Sequence, residues 1–143
     1  MASVNDFPAS GKIIAMQDRA VVFAPANTNY EIRLDAEGSL EGARIGATIE
    51  ARLQVAARKV WTVPSGGNFI SPVFGPPRTI QGRIRYLDEE RMVVQAGVPI
   101  VVILPADPAV FDLVCGPLTV GTLVNVAAQS GGTFELLAKA AMI

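Results

Sequence analysis

The residue types that most often carry out chemistry are scarce in this chain of 143 residues. It has no histidine, which is the side chain that titrates near neutral pH and the commonest metal ligand. Its single cysteine, Cys115, can form neither an internal disulfide nor a cysteine-based zinc site, and we expect it to be a small buried hydrophobic residue. Histidine-dependent catalysis and histidine-ligated haem or zinc are therefore excluded within the chain.

Carboxylates are the next candidates for chemistry. Asp88, Glu89 and Glu90 are consecutive and could bind Ca²⁺ or Mg²⁺ through oxygen. They lack the spaced ligands of a dedicated metal loop, so we expect a solvated turn. Neither a GxGxxG nor a GxxxxGK[ST] phosphate-binding motif occurs. We therefore expect no enzyme activity, no cofactor and no metal site.

Basic and aromatic residues of the first half could instead form a binding platform. Proteins that bind single-stranded nucleic acids combine basic side chains with aromatic rings on which bases stack. An alternation that turns Ala20 and Val22 toward the core would turn Phe23 outward. The alternative is that Phe23 and Trp61 pack against other parts of the chain. The candidate ligand-binding residues are Arg19, Phe23, Arg33, Arg52 and Trp61.

The charge balance limits the partners. The chain has 12 Lys+Arg and 13 Asp+Glu, and neither half is strongly basic, which argues against tight phosphate-driven binding of nucleic acid. Charged residues make up 17% and hydrophobic residues 50% of the chain, which excludes intrinsic disorder. No signal peptide or membrane-spanning run is recognisable. A cytoplasmic protein without membrane contact is the default expectation.

An internal repeat must position these residues. Gly11–Met16 resembles Gly82–Leu87, and Ile45–Ala51 resembles Val120–Val126, at an offset of about 70 residues. Both copies show the period-two alternation that is typical of strands, most clearly at Ile49–Val55. The predicted strands are at about 11–17, 19–25, 29–35, 47–56 and 58–64, and at about 82–88, 91–97, 99–105, 121–129 and 132–139.

A short helix is predicted between the third and fourth strands of each copy. In the second copy Asp107 suits the N-cap, Pro108 the first helical position and Gly116 the C-terminal stop. In the first copy the segment 35–41 contains Gly38, so we expect one turn there at most.

Three strands, a short helix and two strands is the element order of the OB fold, a five-stranded Greek-key barrel. The predicted fold class is therefore all-β, with two tandem five-stranded OB-like Greek-key barrels and a short helix between strands 3 and 4 of each. Gly11 and Gly82 suit strongly coiled first strands. The predicted domains are a first barrel at 1–63, a Pro/Gly-rich connector at 64–79 and a second barrel at 80–143. A single two-sheet sandwich is the alternative.

The second copy is predicted to carry an apolar outer strip where the first copy has Glu31 and Arg33. Exposed strips of this kind usually mark an interface. A register error of one residue would instead turn these side chains inward. The predicted interface residues are Val93, Val101 and Ile103 in the second copy and Phe69 and Phe74 in the connector.

The predicted architecture resembles that of the tandem molybdate-binding Mop modules. The resemblance lies in the glycine-led first strand, the short helix and the patterns at Gly42–Val55 and Gly116–Ala128. The Ser-Ala-Arg-Asn type of opening found in that family is absent before Gly11 and Gly82, so no binding residue is carried over. The resemblance implies binding of small oxyanions between subunits.

Our leading functional hypothesis is a non-enzymatic tandem-barrel module that acts through protein–protein contacts or self-association as a homo-oligomer. The two alternatives are a binder of single-stranded nucleic acid with modest affinity and a small-oxyanion binder of the Mop type.

Overall fold

The computed structural model describes residues 3–139, and its regular structure is almost entirely β-strand, which confirms the all-β class. Two single 3₁₀ turns, Val4–Asp6 and Pro108–Val110, are the helical elements of this range. The strands are β1 (Ala9–Gln17), β2 (Ala20–Pro25), β3 (Glu31–Glu37), β4 (Thr48–Thr62), β5 (Phe69–Ser71), β6 (Phe74–Gly75), β7 (Thr79–Leu87), β8 (Arg91–Gln95), β9 (Pro99–Ile103), β10 (Phe111–Asp112), β11 (Leu123–Ala128) and β12 (Thr133–Lys139).

These strands form one mixed sheet that closes on itself twice. Strands β1, β2, β3 and β12 form a first ring with the first half of β4, which pairs with both β12 and β1. The second half of β4 joins β11, β7, β8 and β9, and a parallel β4–β9 pairing closes this second ring. The 15-residue strand β4 therefore belongs to both rings.

The last strand of each repeat is exchanged between the rings. The second half of β4 comes from the first repeat, yet it pairs with β9 and β11 of the second. Strand β12 comes from the second repeat, yet it lies parallel to β3 and antiparallel to β4 of the first. The predicted division into 1–63, 64–79 and 80–143 thus follows the repeat, while main-chain hydrogen bonds cross it in both directions.

The two copies share a strongly coiled first strand. A Cβ on Gly11 would collide with the carbonyl oxygen of Ala24, and one on Gly82 with that of Gln95, so only glycine permits these approaches. Three residues further on, each strand has a β-bulge, between Ile13 and Ala15 in β1 and between Ile84 and Tyr86 in β7. Such bulges bend a strand and raise its twist, as closing a small ring requires.

The predicted helices are wrong in length. In the second copy Asp107 caps as predicted, because its carboxylate accepts the backbone N–H of Ala109 at 2.9 Å. The 3₁₀ turn then ends at Val110, and the chain continues as β10, whose Phe111 pairs with β4. Since pairing with β4 offers these backbone groups hydrogen-bond partners, the chain reaches Gly116 without a helix. The corresponding segment of the first copy contains only turns and bends.

One hydrophobic core runs through both rings. The alternation predicted for β4 is confirmed, since Ile49, Leu53 and Val55 are buried. Phe134 of the exchanged strand β12 is fully buried against Phe23 of β2, with ring centroids 5.6 Å apart. The position of β12 in the first ring is therefore stabilised by side-chain packing in addition to main-chain hydrogen bonds.

Candidate functional site

The predicted outward position of Phe23 is wrong. Val21 and Phe23 are fully buried, whereas Ala20 and Val22 are only half-buried, so the structure shifts the predicted register of β2 by one residue. Turning the larger side chains inward buries more apolar surface and is therefore favoured. Phe23 offers no ring to a ligand, and binding of single-stranded nucleic acid loses its main predicted stacking residue.

Two of the predicted ligand-binding arginines are engaged within the fold. Arg19 donates to two backbone carbonyl oxygens at the end of β3, at 3.0 and 2.6 Å. Arg52 pairs with Glu135 of β12 at 3.1 Å and donates to the side-chain oxygen of Asn5 at 2.9 Å. These guanidinium groups hold neighbouring segments together.

The remaining two residues of the predicted platform lie apart in the strand topology. Arg33 is exposed on β3 in the first ring. Trp61 is half-buried on the part of β4 that belongs to the second ring, with the Lys59 ammonium 5.7 Å from its ring centroid. Among residues 3–139, β3 and β4 do not pair directly with each other, since β12 lies between them.

The predicted apolar strip exists, but most of it is covered by residues 3–7, which we call the N-terminal segment. Val93 and Val101 form a buried cluster with Val4, and Phe7 and Tyr86 pack against this cluster. The covering segment is ordered by a capping box in which Ser3 and Asp6 bind each other's backbone N–H groups. Val93 and Val101 are therefore not exposed, a correction to their predicted role at an intermolecular interface.

The other predicted interface residues differ in exposure. Ile103 is 38% exposed at the end of β9, and Phe69 is half-buried in β5. Phe74 in β6 is 64% exposed. Of the five predicted positions, Phe74 presents the most surface.

A more exposed apolar surface lies in residues 113–120, which we call the apolar loop. Val114 and Val120 are 82% and 66% exposed, Leu113 is 39% exposed, and the loop has no charged residue. The corresponding loop of the first copy carries Glu41 and Arg44. Cys115, which was expected to be buried, is exposed in this loop. The sequence signal for the apolar loop is the run of residues 113–134, which contains no charged residue.

A polar groove of about 410 Å³ opens on the outer face of the second ring. We call it the arginine groove, and its lining residues are Gly66, Gly67, Asn68, Arg83, Arg85, Gln95 and Leu123. An Nη of Arg85 donates to Oε1 of Gln95 at 3.1 Å, and its Cζ lies 5.1 Å from the ring centroid of Phe7. Arg83 donates to the carbonyl oxygen of Gly121 at 2.9 Å. No carboxylate belongs to this lining.

A chain of side-chain amides holds one wall of the arginine groove. The buried Asn125 donates to Oε1 of Gln81 at 2.9 Å, and Nε2 of Gln81 donates to the carbonyl oxygen of Gly67 at 2.8 Å. Gly66 has φ +143°, and a Cβ there would lie 2.7 Å from Nε2 of Gln81. A glycine is therefore required for the loop to approach β7.

Sequence reasoning missed the arginine groove. In the sequence, Gly66 and Gly67 are typical of a turn, and Arg83 and Arg85 alternate with Ile84 and Tyr86 as the polar face of a strand does. Comparing the two repeats would have given a signal, because Lys12 and Ile14 stand where the second copy has these two arginines.

The acidic run forms the tip of the β7–β8 hairpin. The Asp88 carboxylate accepts the backbone N–H groups of Arg91 and Glu90, both at 2.8 Å, and the Tyr86 hydroxyl at 2.9 Å. These hydrogen bonds favour the ionised form and lower the pKa of Asp88. Among residues 3–139, no three side chains of the types His, Cys, Asp and Glu are grouped closely enough to hold a metal ion.

Comparisons with known proteins leave the function to be argued from these surfaces. Within residues 3–139, no helix has the length and hydropathy needed to cross a bilayer. No family model matches the chain, and no curated protein or solved structure matches it significantly. The resemblance to Mop modules stays a prediction about architecture.

Proposed function

We propose that the chain is a non-enzymatic assembly module that self-associates through the apolar loop. The observation that carries this proposal is the exposure of Leu113, Val114 and Val120 in a segment without charge. Contact between such surfaces removes apolar area from water, which favours association. A two-fold symmetric dimer is suitable because each of the two molecules presents the same patch to the other.

The strand topology supports side-chain contact as the mode of assembly. Each ring is closed by hydrogen bonding between its first and last strands, so among residues 3–139 the long strands that form the rings each have two neighbours. The strands with a single neighbour, β5, β6 and β10, are only two or three residues long. The apolar loop lies outside the ladder of paired strands. The surface that contacts the apolar loop should also lack charge, and the apolar loop of a second molecule of this chain meets that requirement.

The finer fold prediction belongs to the same proposal. We regard the two rings as OB-like barrels, supported by five strands in each ring. The second repeat has three strands, a turn and two long strands, and in the first repeat the single long strand β4 takes the place of the last two. Loops between strands are the usual binding elements of such barrels. The apolar loop connects the third and fourth long strands of the second repeat, a position of this type.

Light scattering coupled to size-exclusion chromatography tests the proposal. At protein concentrations up to about 100 µM, where micromolar dimers are populated, we expect a mass of twice the 15.1 kDa of one chain. The double variant Val114→Asp/Val120→Asp should elute as a monomer, because dimerisation would bury two carboxylates.

The matched control is Ile45→Asp, which places a carboxylate at a 58% exposed position of the corresponding first-copy loop. It should leave the dimer intact. A monomeric unaltered chain over the whole concentration range would overturn the proposal. So would a dimer that persists in the double variant.

A further inference from the structure

We propose that the arginine groove binds the phosphate group of a small molecule. This site lies on β7 and β8 and the loop before β5, and it does not depend on self-association through the apolar loop. The proposal rests on unbalanced charge, on the rigidity of the groove walls and on a comparison of the two repeats.

The charges of the groove have no counter-ion within the described chain. Among residues 3–139, every ion pair within 4.0 Å involves Arg52, so neither Arg83 nor Arg85 has a carboxylate partner. Arg83 and Arg85 are two residues apart on β7, so their Cα atoms are about 7 Å apart and two like charges extend from neighbouring positions. A bound anion would replace their repulsion by two attractions.

The two guanidinium groups keep most of their donors free. Within the part of the chain that the structure describes, Arg83 and Arg85 each make one hydrogen bond, out of about five N–H donors per guanidinium. Because Oε1 of Gln95 accepts from Arg85, the amide nitrogen of Gln95 adds further donor capacity. Oxygens of a phosphate group accept paired hydrogen bonds from guanidinium in this way.

The walls of the groove are set before any ligand binds. Arg85 is the bulge residue of β7, and its guanidinium is held between Gln95 and the ring of Phe7. Bulges redirect side chains and are frequent beside binding sites. The amide chain from Asn125 through Gln81 fixes the opposite loop. Such preorganisation lowers the entropy that binding must overcome.

The first repeat shows that the fold does not require these side chains. Its β1 has the same bulge, with Ile14 in place of Arg85, and pairs Lys12 with Ala24 where the second repeat pairs Arg83 with Gln95. The backbone is therefore shared, while the cluster of two guanidinium groups and an amide occurs in one copy.

The size of the groove favours a small organic phosphate. Its volume of about 410 Å³ exceeds that of a bare tetrahedral anion and lies in the range of small-molecule sites. Leu123 supplies an apolar contact beside the arginines. The groove therefore has room for a phosphate group with a few attached carbon atoms.

Titration of the ¹⁵N-labelled full chain, followed by nuclear magnetic resonance, tests the proposal. The probes are inorganic phosphate and glucose 6-phosphate, with glucose and sodium chloride at matched ionic strength as ligand controls. We expect saturable shifts at the amides of Asn68, Arg85 and Gln95 with both phosphates and none with glucose. Arg83→Gln and Arg85→Gln should each weaken binding about tenfold or more, because each removes a charge-assisted pair.

The matched variant is Arg33→Gln, which removes an equal charge from an exposed position on β3 and should change affinity less than twofold. The proposal is overturned if neither phosphate gives saturable shifts up to about 20 mM, which is well above a millimolar dissociation constant. It is also overturned if Arg33→Gln weakens binding as much as Arg85→Gln does. Shifts of the same amides with a single-stranded oligonucleotide but with neither phosphate would overturn the small-molecule assignment. Repeating the titration with the single variant Val114→Asp, which adds no charge next to Gly121, the hydrogen-bond partner of Arg83, separates this site from self-association, because the affinity for phosphate should not change.

Discussion

At the scale of single residues, Gly82 controls how closely β7 and β8 approach. The carbonyl oxygen of Gln95 occupies the space that a Cβ would need. We predict that Gly82→Ala lowers the free energy of unfolding by about 1–3 kcal/mol, since an overpacked site must move its backbone. Chemical denaturation followed by circular dichroism measures this change.

Gly67→Ala is the control for that prediction. A Cβ at Gly67 would meet no atom within 4 Å. The expected change is within about 0.5 kcal/mol, as for other exposed substitutions. Equal destabilisation by the two variants would show that close approach is not what requires Gly82.

Individual residues also show how far sequence reasoning could go. Asp107 was identified as a cap because its signal is local. The predicted face of Phe23 is wrong because Ala20–Ala24 is apolar at every position. No alternation of apolar and polar residues marks which side chains of this strand face the core. Arg83 and Arg85 could not be recognised as a cluster with Gln95 and the loop at Gly66, because only strand pairing brings these segments together.

At the scale of elements, the N-terminal segment acts as a strap over the second ring. Val4 is 2% exposed and completes the cluster with Val93 and Val101. We predict that Val4→Ala destabilises the protein by about 2 kcal/mol, because it removes two buried methyl groups and leaves a cavity. Thermal or urea denaturation measures the effect.

Val73→Ala provides the same chemical change at a position that is 44% exposed. Its effect should stay within about 0.5 kcal/mol. If Val4→Ala were equally mild, the strap would contribute little to stability, and Val93 and Val101 would again be candidates for an intermolecular interface.

The strands themselves were largely predictable, and their partners were not. Alternation in β4 identified its inward residues, and the repeat predicted the order of the long strands in the second copy. In the first copy the predicted strands at 47–56 and 58–64 are the single strand β4. Nothing local marks which ring receives β12, because its pairing with β3 and β4 depends on residues about 80 to 100 positions away. The tandem-barrel prediction therefore missed the exchange.

At the scale of the whole molecule, the exchange makes the two halves interdependent. We predict that residues 1–75 and 76–143, expressed separately, do not fold, because each lacks the strand that closes its ring. Expressed together, they should purify as a one-to-one complex with the circular dichroism of the intact chain. A cooperative unfolding transition in either half alone would contradict this prediction.

The exchanged strands also limit how this molecule could change by gene duplication. Each repeat supplies the strand that closes the ring of the other repeat, so two repeats close both rings and no strand is left over. A third repeat inserted in tandem would have no partner for a reciprocal exchange, so its own last strand would have to close its ring. Loss of one repeat would leave the other incomplete unless a second molecule supplied the missing strand. The pair of repeats, and not the single repeat, is thus the smallest unit that recombination could pass on intact.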